Sequence, residues 1–175
     1  MGILLFSAES FEQLDFLSTG SAVNQLAYSP DGSILAAAAN AGVFFYYPEN
    51  GQFLNALSDF NIRRLTNVAF SQDGERLAVS TWAGPTLILH TATRQILREL
   101  GEEWVNGLAL PADGQTLATA HDKGISFWDV ASGEVVRTFD QVTDNVTFSV
   151  AFSPDGTLLA EGVHGGMVRL WDVAS

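Results

Sequence analysis

The chain has 175 residues, 47 % of them apolar and 16 % charged, and 8 Lys and Arg against 20 Asp and Glu leave a formal charge of −12. That length suits one domain or a piece of a larger one, and the apolar share is enough for a packed core, which excludes disorder for the bulk of the chain. The acidic balance repels phosphate and so argues against nucleic acid or anionic membrane as a partner, and a chain without cysteine has no disulfide, thiol catalysis or zinc ribbon.

The first residues have an apolar stretch of about five, no basic flank and acids close behind, which is too short for a signal peptide. No stretch approaches the roughly 18–20 continuous apolar residues of a membrane helix. A cytoplasmic location is the expectation.

In chain order, two short apolar runs come first, Ile3 to Phe6 and Gln13 to Leu17. Then one phrase appears four times: an apolar run, a Ser-Pro-like pair and Asp-Gly. Its aspartates fall at 31, 73, 113 and 155, spacings of 42, 40 and 42. A period near 40 that runs through the whole chain marks a repeat architecture. The strand preceding each Asp-Gly covers Val23 to Tyr28, Asn67 to Phe70, Val105 to Leu110 and Val146 to Phe152. Asp-Gly favours the centre of a tight hairpin turn, because its second position takes positive φ. A second run follows it: Ile34 to Ala39, Leu77 to Thr81, Leu117 to Ala120 and Leu158 to Val163. After a glycine-containing loop, a third run closes on Tyr46, Leu89, Trp128 or Trp171, and a more polar fourth run ends each of the first three copies. Short runs at even spacing predict an antiparallel meander with almost no helix.

Trp128-Asp129 and Trp171-Asp172, with the Ser-Pro-Asp-Gly phrases and the 42-residue period, resemble the WD-repeat β-propellers over essentially the whole chain. The resemblance implies an all-β fold: blades of four antiparallel strands, a to d outward from a channel, in a partial or open propeller of about four blades. Residues 1–20 align with strands c and d of a preceding blade, 21–60, 61–101 and 102–142 with three whole blades, and 143–175 with a blade lacking strand d, which makes 17 strands in one propeller segment. Asp122, Trp128, Asp129, Trp171 and Asp172 align with the family's structural positions. The family's Gly-His pair is absent, the Trp-Asp pair becomes Tyr46-Tyr47 and Leu89-His90, and Asn40, Ala83 and Gly165 stand where Asp122 does. A weakened hydrogen-bonded clasp, with apolar packing carrying the blades, is therefore expected. A seven-bladed ring needs about 280–315 residues. A segment of a longer propeller is expected, with open blade faces as a route to self-association.

Little chemistry lies along the channel. The four strands a contain no Asp, Glu, His, Lys or Arg, and in strand b only Glu161 lies deep. One carboxylate cannot serve as both acid and base, so Glu161 is expected to face solvent near a strand end or to fill a position the family gives to a small residue. His121 and His164, in equivalent b–c loops, with Asp122, are the only candidate metal ligands, and their bland reading is polar loop residues. Neither a metal nor a cofactor is expected. Trp82, Trp104, Arg63, Glu102 and Glu103 fall on the d–a and b–c loops, which emerge on one face. Trp and Arg are the residues binding hot spots favour, against a bland role as caps over blade junctions. The resulting expectation is a non-enzymatic scaffold for protein partners, with no nucleic acid and no membrane. Two alternatives stand beside it: a propeller enzyme or small-ligand or metal module at the channel mouth, and a structural fragment of a larger multidomain protein.

Overall fold

A computed structural model describes residues 1–58, 64–101, 104–140 and 146–173. Among them lie 17 strands and no helix. Strands β1 (Gly2–Phe6) and β2 (Gln13–Ser18) pair alone. Blade 1 is β3 (Val23–Tyr28), β4 (Leu35–Ala39), β5 (Gly42–Tyr47) and β6 (Gln52–Leu57). Blade 2 is β7 (Leu65–Phe70), β8 (Arg76–Thr81), β9 (Thr86–His90) and β10 (Ile96–Leu100). Blade 3 is β11 (Gly107–Ala109), β12 (Thr116–His121), β13 (Gly124–Asp129) and β14 (Val135–Asp140). Blade 4 has three strands, β15 (Thr147–Phe152), β16 (Leu158–Val163) and β17 (Met167–Asp172). All pairings are antiparallel between consecutive strands, as the meander reading predicts. Strand β11 is shorter than its expected Val105 to Leu110: Pro111 follows it without an N–H, and Asn106 turns toward the next blade.

The a–b turns differ from the two-residue hairpin expected of Asp-Gly. Six residues, Ser29 to Ile34, separate β3 from β4. The Gly32 amide closes a β-turn on the Ser29 carbonyl at 2.8 Å, with Pro30 second and Gly32, at φ 72°, fourth. Serine does the rest: Ser29 Oγ donates to Asp31 at 2.6 Å and accepts the Ile34 amide at 2.9 Å. Ser71 and Ser153 repeat both bonds with Asp73 and Arg76, and with Asp155 and Leu158. Pro111 has no hydroxyl, so the third turn keeps only its backbone closure and the Gln115 amide on Asp113.

These bonds hold the carboxylates in their charged form. The Ser29 hydroxyl and the Ser33 amide and hydroxyl pull Asp31 down to about 2, and Ser153 and Thr157 lower Asp155 in the same way. At Asp73 burial pushes upward, but the Ser71 hydroxyl and the Glu75 amide outweigh it. Depressed carboxylates stabilise the fold above their unfolded value near 3.9 and lose that contribution as pH falls through the folded value. Denaturation midpoints should therefore hold steady from pH 7 to about 5 and fall from about pH 4 toward 2. Ser29→Ala with Ser153→Ala should shrink that fall, and a midpoint flat down to about pH 2.5 would contradict the assignment.

Each sheet stacks on the next through strand b, which is buried on both faces. Leu35 and Ala37 face β1–β2, with Ile3, Leu5, Leu17 and Tyr46, while Ala36 and Ala38 face blade 2. Leu77 and Val79 face back to blade 1 and Ala78 forward to blade 3; Leu117 faces back to blade 2, and Ala118 and Ala120 forward to blade 4. The larger side chain of each strand b thus meets the preceding blade and alanine the following one, a fit of large to small between layers.

Polar contacts join the same layers at both ends. Near the start of strand a, Asn24 Nδ2 donates to the Leu65 carbonyl at 2.6 Å, Asn67 to Val105 at 3.1 Å and Asn106 to Thr147 at 3.0 Å. The β3–β4 register shifts between Val23 and Gln25, so Asn24 sits on a bulge that turns its side chain sideways. Phe148, the residue of blade 4 that matches Asn24 and Asn106, ends the series. At the opposite end Arg76, Arg98 and Arg137 donate to the carbonyls of Gly114, Ala131 and Val173 in the next blade. Three of the chain's eight Lys and Arg are thereby spent on stacking. At Gly101, at φ 55°, a Cβ would stand 2.7 Å from the Trp128 ring of the next blade.

Candidate functional site

Trp82 follows β8 in the b–c connection of blade 2, and Trp104 precedes β11 in the d–a connection that enters blade 3. The stacking of the two blades brings the indoles to a centroid distance of 4.7 Å at 49°. The Arg64 guanidinium lies over Trp82, 4.5 Å from its ring centroid. Arg64 reaches it from a backbone at φ 70°, costly for a residue with a Cβ, and its carbonyl accepts the Trp82 amide at 2.9 Å. Beneath the indoles a polar cluster sets the height of both loops: Thr66 and Ser80 share a hydrogen bond at 2.9 Å, and Asn67 donates to Ser80 and to the carbonyl of Val105, next to Trp104. Between them lies a cleft of about 270 Å³ lined by Thr66, Asn67, Trp82, Trp104, Val105 and Asn106. Packed against each other, the two rings remain 44 % and 55 % exposed. Arg63, Glu102 and Glu103 lie outside the described residues.

Blades 3 and 4 hold their indoles by different acceptors. Trp128 Nε1 donates to Thr119 Oγ1 at 2.9 Å. Trp171 Nε1 donates to Glu161 Oε2 at 2.8 Å. Trp128 pairs opposite Leu117 and Trp171 opposite Leu159, so Thr119 and Glu161 are the same strand-b position, two residues on. Glu161 does not face solvent: it is 2 % exposed, takes the Thr147 hydroxyl at 2.6 Å and has Arg169 at 3.7 Å. It fills the place held by Ala37, Val79 and Thr119 in the other blades. Trp171 also stacks on Phe139 at 4.5 Å and 21°. In blade 1 the matching Tyr46 sends its hydroxyl to the Ser18 carbonyl at 2.6 Å, tying that blade to β2.

A model of the WD domain, G-beta repeat, matches residues 12–46, 94–129 and 133–172, more than half of the chain. The chain is a member of the WD-repeat family. An uncharacterized WD repeat-containing protein of Synechocystis sp. is 35 % identical over 115 residues, which are 63 % of this chain and 32 % of that protein. A target of rapamycin complex subunit of Schizosaccharomyces pombe is 26 % identical over 154 residues, 86 % of this chain and 49 % of that one. A COMPASS component of Saccharomyces cerevisiae is 23 % identical over 146 residues, 82 % of this chain and 46 % of its own length. The chain thus spans between about a third and a half of these relatives.

Where this WD-repeat chain departs from the family pattern, other side chains make the contacts. Asp122 is exposed, and the b–c turn beside it closes on its neighbour instead: His121 Nδ1 accepts the Lys123 amide at 3.2 Å, which leaves Nε2 to donate to Ser126 Oγ at 2.9 Å. The clasp expected to be weak is a set of blade-specific bonds through Tyr46, Thr119, His121 and Glu161. Asp129 caps the c–d turn by accepting the Ser132 amide at 2.6 Å, and that bond lowers its pKa. Asp172 is exposed at the end of β17. His164 is exposed beside Phe148, whereas His121 is buried, and among the described residues no three His, Cys, Asp or Glu gather to hold a metal.

Proposed function

We propose that this chain is a non-enzymatic scaffold that holds protein partners on the face carrying Trp82 and Trp104, with Arg63, Glu102 and Glu103 contributing from the same loops. The observation that carries the reading is the Trp82–Trp104 pair. Two large rings stay half exposed while fixed against each other and Arg64, so little ordering remains to oppose binding. Among the described residues Glu161 is the one deep carboxylate of the channel strands, and it is buried and committed to Trp171 and to the equally buried Thr147 hydroxyl. The relatives described as a target of rapamycin complex subunit and a COMPASS component support the same role.

Affinity purification of the full-length protein from its own cells tests this. Trp82→Ala and Trp104→Ala should each weaken partner recovery, each substitution costing about 2 kcal/mol or roughly 30-fold in affinity. Val135→Ala with Val136→Ala on the exposed outer strand should leave recovery intact. Partner loss only on the outer-strand substitutions would defeat the assignment.

A further inference from the structure

We infer that the opposite end of the channel, where the a–b turns lie, is a second docking site that takes a protein segment with a bulky apolar side chain flanked by lysine or arginine. This goes beyond the Trp82–Trp104 reading and does not depend on it. Tyr28, Phe70 and Phe152 end three of the strands a and Leu110 follows the fourth, and all four border one cleft of about 390 Å³. Tyr28 is 55 % exposed there, and Phe70 and Phe152 are half-buried. The cleft is floored by apolar side chains from every blade, with room for one or two large side chains.

Its neighbours select the occupant. An adjoining cleft that shares Pro111, Ala112 and Phe152 with the first is lined by Asp113 and Asp155, and another that shares Pro30 and Gln72 is lined by Asp31 and Asp73. All four carboxylates are exposed, and their own turns fix three of them through a serine hydroxyl. Arg76, whose guanidinium donates to the Gly114 carbonyl at 2.7 Å, offsets part of the charge of Asp73, so four carboxylates against one cation leave this rim negative. An apolar floor edged by fixed negative charge favours a cationic segment with an apolar anchor and repels anions. A second copy of this chain, at a charge of −12 with 8 Lys and Arg, lacks the required character, and so does a nucleic acid.

The probe is a fluorescein-labelled octapeptide, Gly-Lys-Arg-Leu-Phe-Arg-Lys-Gly, titrated with the full-length protein by anisotropy. Saturable binding is expected, with a dissociation constant on the order of 10 µM. Replacing Leu-Phe of the probe by Ser-Ser should weaken it about tenfold or more, because the apolar anchor is lost. Ala112→Arg and, separately, Gln72→Arg each place a cation at an exposed rim position without touching the serine–aspartate bonds, and each should weaken it about tenfold. Trp82→Ala should leave it unchanged, so failure here and failure of the Trp face are separate results. No saturation by about 1 mM would overturn the inference. So would equal binding of the Ser-Ser probe, which is charge attraction alone, or wild-type binding by both arginine variants, or loss of binding on Trp82→Ala.

Discussion

Replacing Glu161 with alanine should destabilise the fold by about 3–5 kcal/mol, the cost of removing one member of a buried ionic cluster. Its two oxygens accept from Thr147 and Trp171 and face Arg169, so one substitution strands an indole N–H, a hydroxyl and part of the neutralisation of a guanidinium. Glu161→Gln should cost less, because an amide oxygen can still accept one of the two bonds. The effect belongs to the joint between blades 3 and 4, since Trp171 stacks on Phe139 across it. Chemical denaturation followed by tryptophan fluorescence measures the loss, and hydrogen exchange should place it in β15–β17 first. A cost below about 1 kcal/mol for the alanine variant would mean that the cluster is not what holds the indole.

The 175-residue chain by itself should associate in solution through its two uncovered sheet faces. Ile3, Leu5 and Leu17 turn inward from β1–β2, and the alternate residues Leu4, Phe6 and Phe16 are 52 %, 55 % and 50 % exposed. On blade 4, Phe148, Val168 and Leu170 are 51 %, 74 % and 68 % exposed, and β17 forms the outer edge of a three-stranded sheet. Among the described residues no apolar cluster joins these two ends. Burying a large apolar side chain contributes about 1.5–3 kcal/mol, so several together suffice for micromolar self-association. Sedimentation velocity across a concentration series should show growing species for the parent, and Phe16→Asp with Val168→Asp should return it to monomer. A monodisperse parent that binds no apolar dye would show that the chain covers its own ends.

The strands were legible because each repeat sets an apolar run against a turn phrase, and the 17 strands with their meander order follow from that grammar. The turn itself was less legible. Asp-Gly alone reads as a two-residue hairpin; the longer connection closes through the same backbone bond in all four copies, and the serine two positions before the Asp adds its two bonds in three of them. Glu161 could have been placed by aligning it with Thr119, the same distance beyond the leucine opposite each Trp. Its charge argued for solvent instead, until Trp171, Thr147 and Arg169 were seen to surround it. Family pattern pointed to Asp122 in the b–c turn, but His121, one residue earlier, has two ring nitrogens and makes both contacts. The Asn24–Asn67–Asn106 series depends on a bulge and on blade stacking, neither of which leaves a mark on spacing. Trp82 and Trp104 were each legible as loop residues on one face. Their contact required the stacking of blade 2 on blade 3, and Arg64 reaches Trp82 within blade 2 from a positive-φ backbone.

On the reading proposed above, this chain works by holding another protein on the Trp82–Trp104 face. A photo-crosslinking amino acid placed in the full-length protein at position 82, at position 104 and, for comparison, at position 136 tests it within the cells that make the protein. Crosslinks to the same protein are expected from 82 and 104, and none from 136. Crosslinks from 136 with none from 82 or 104 would contradict it.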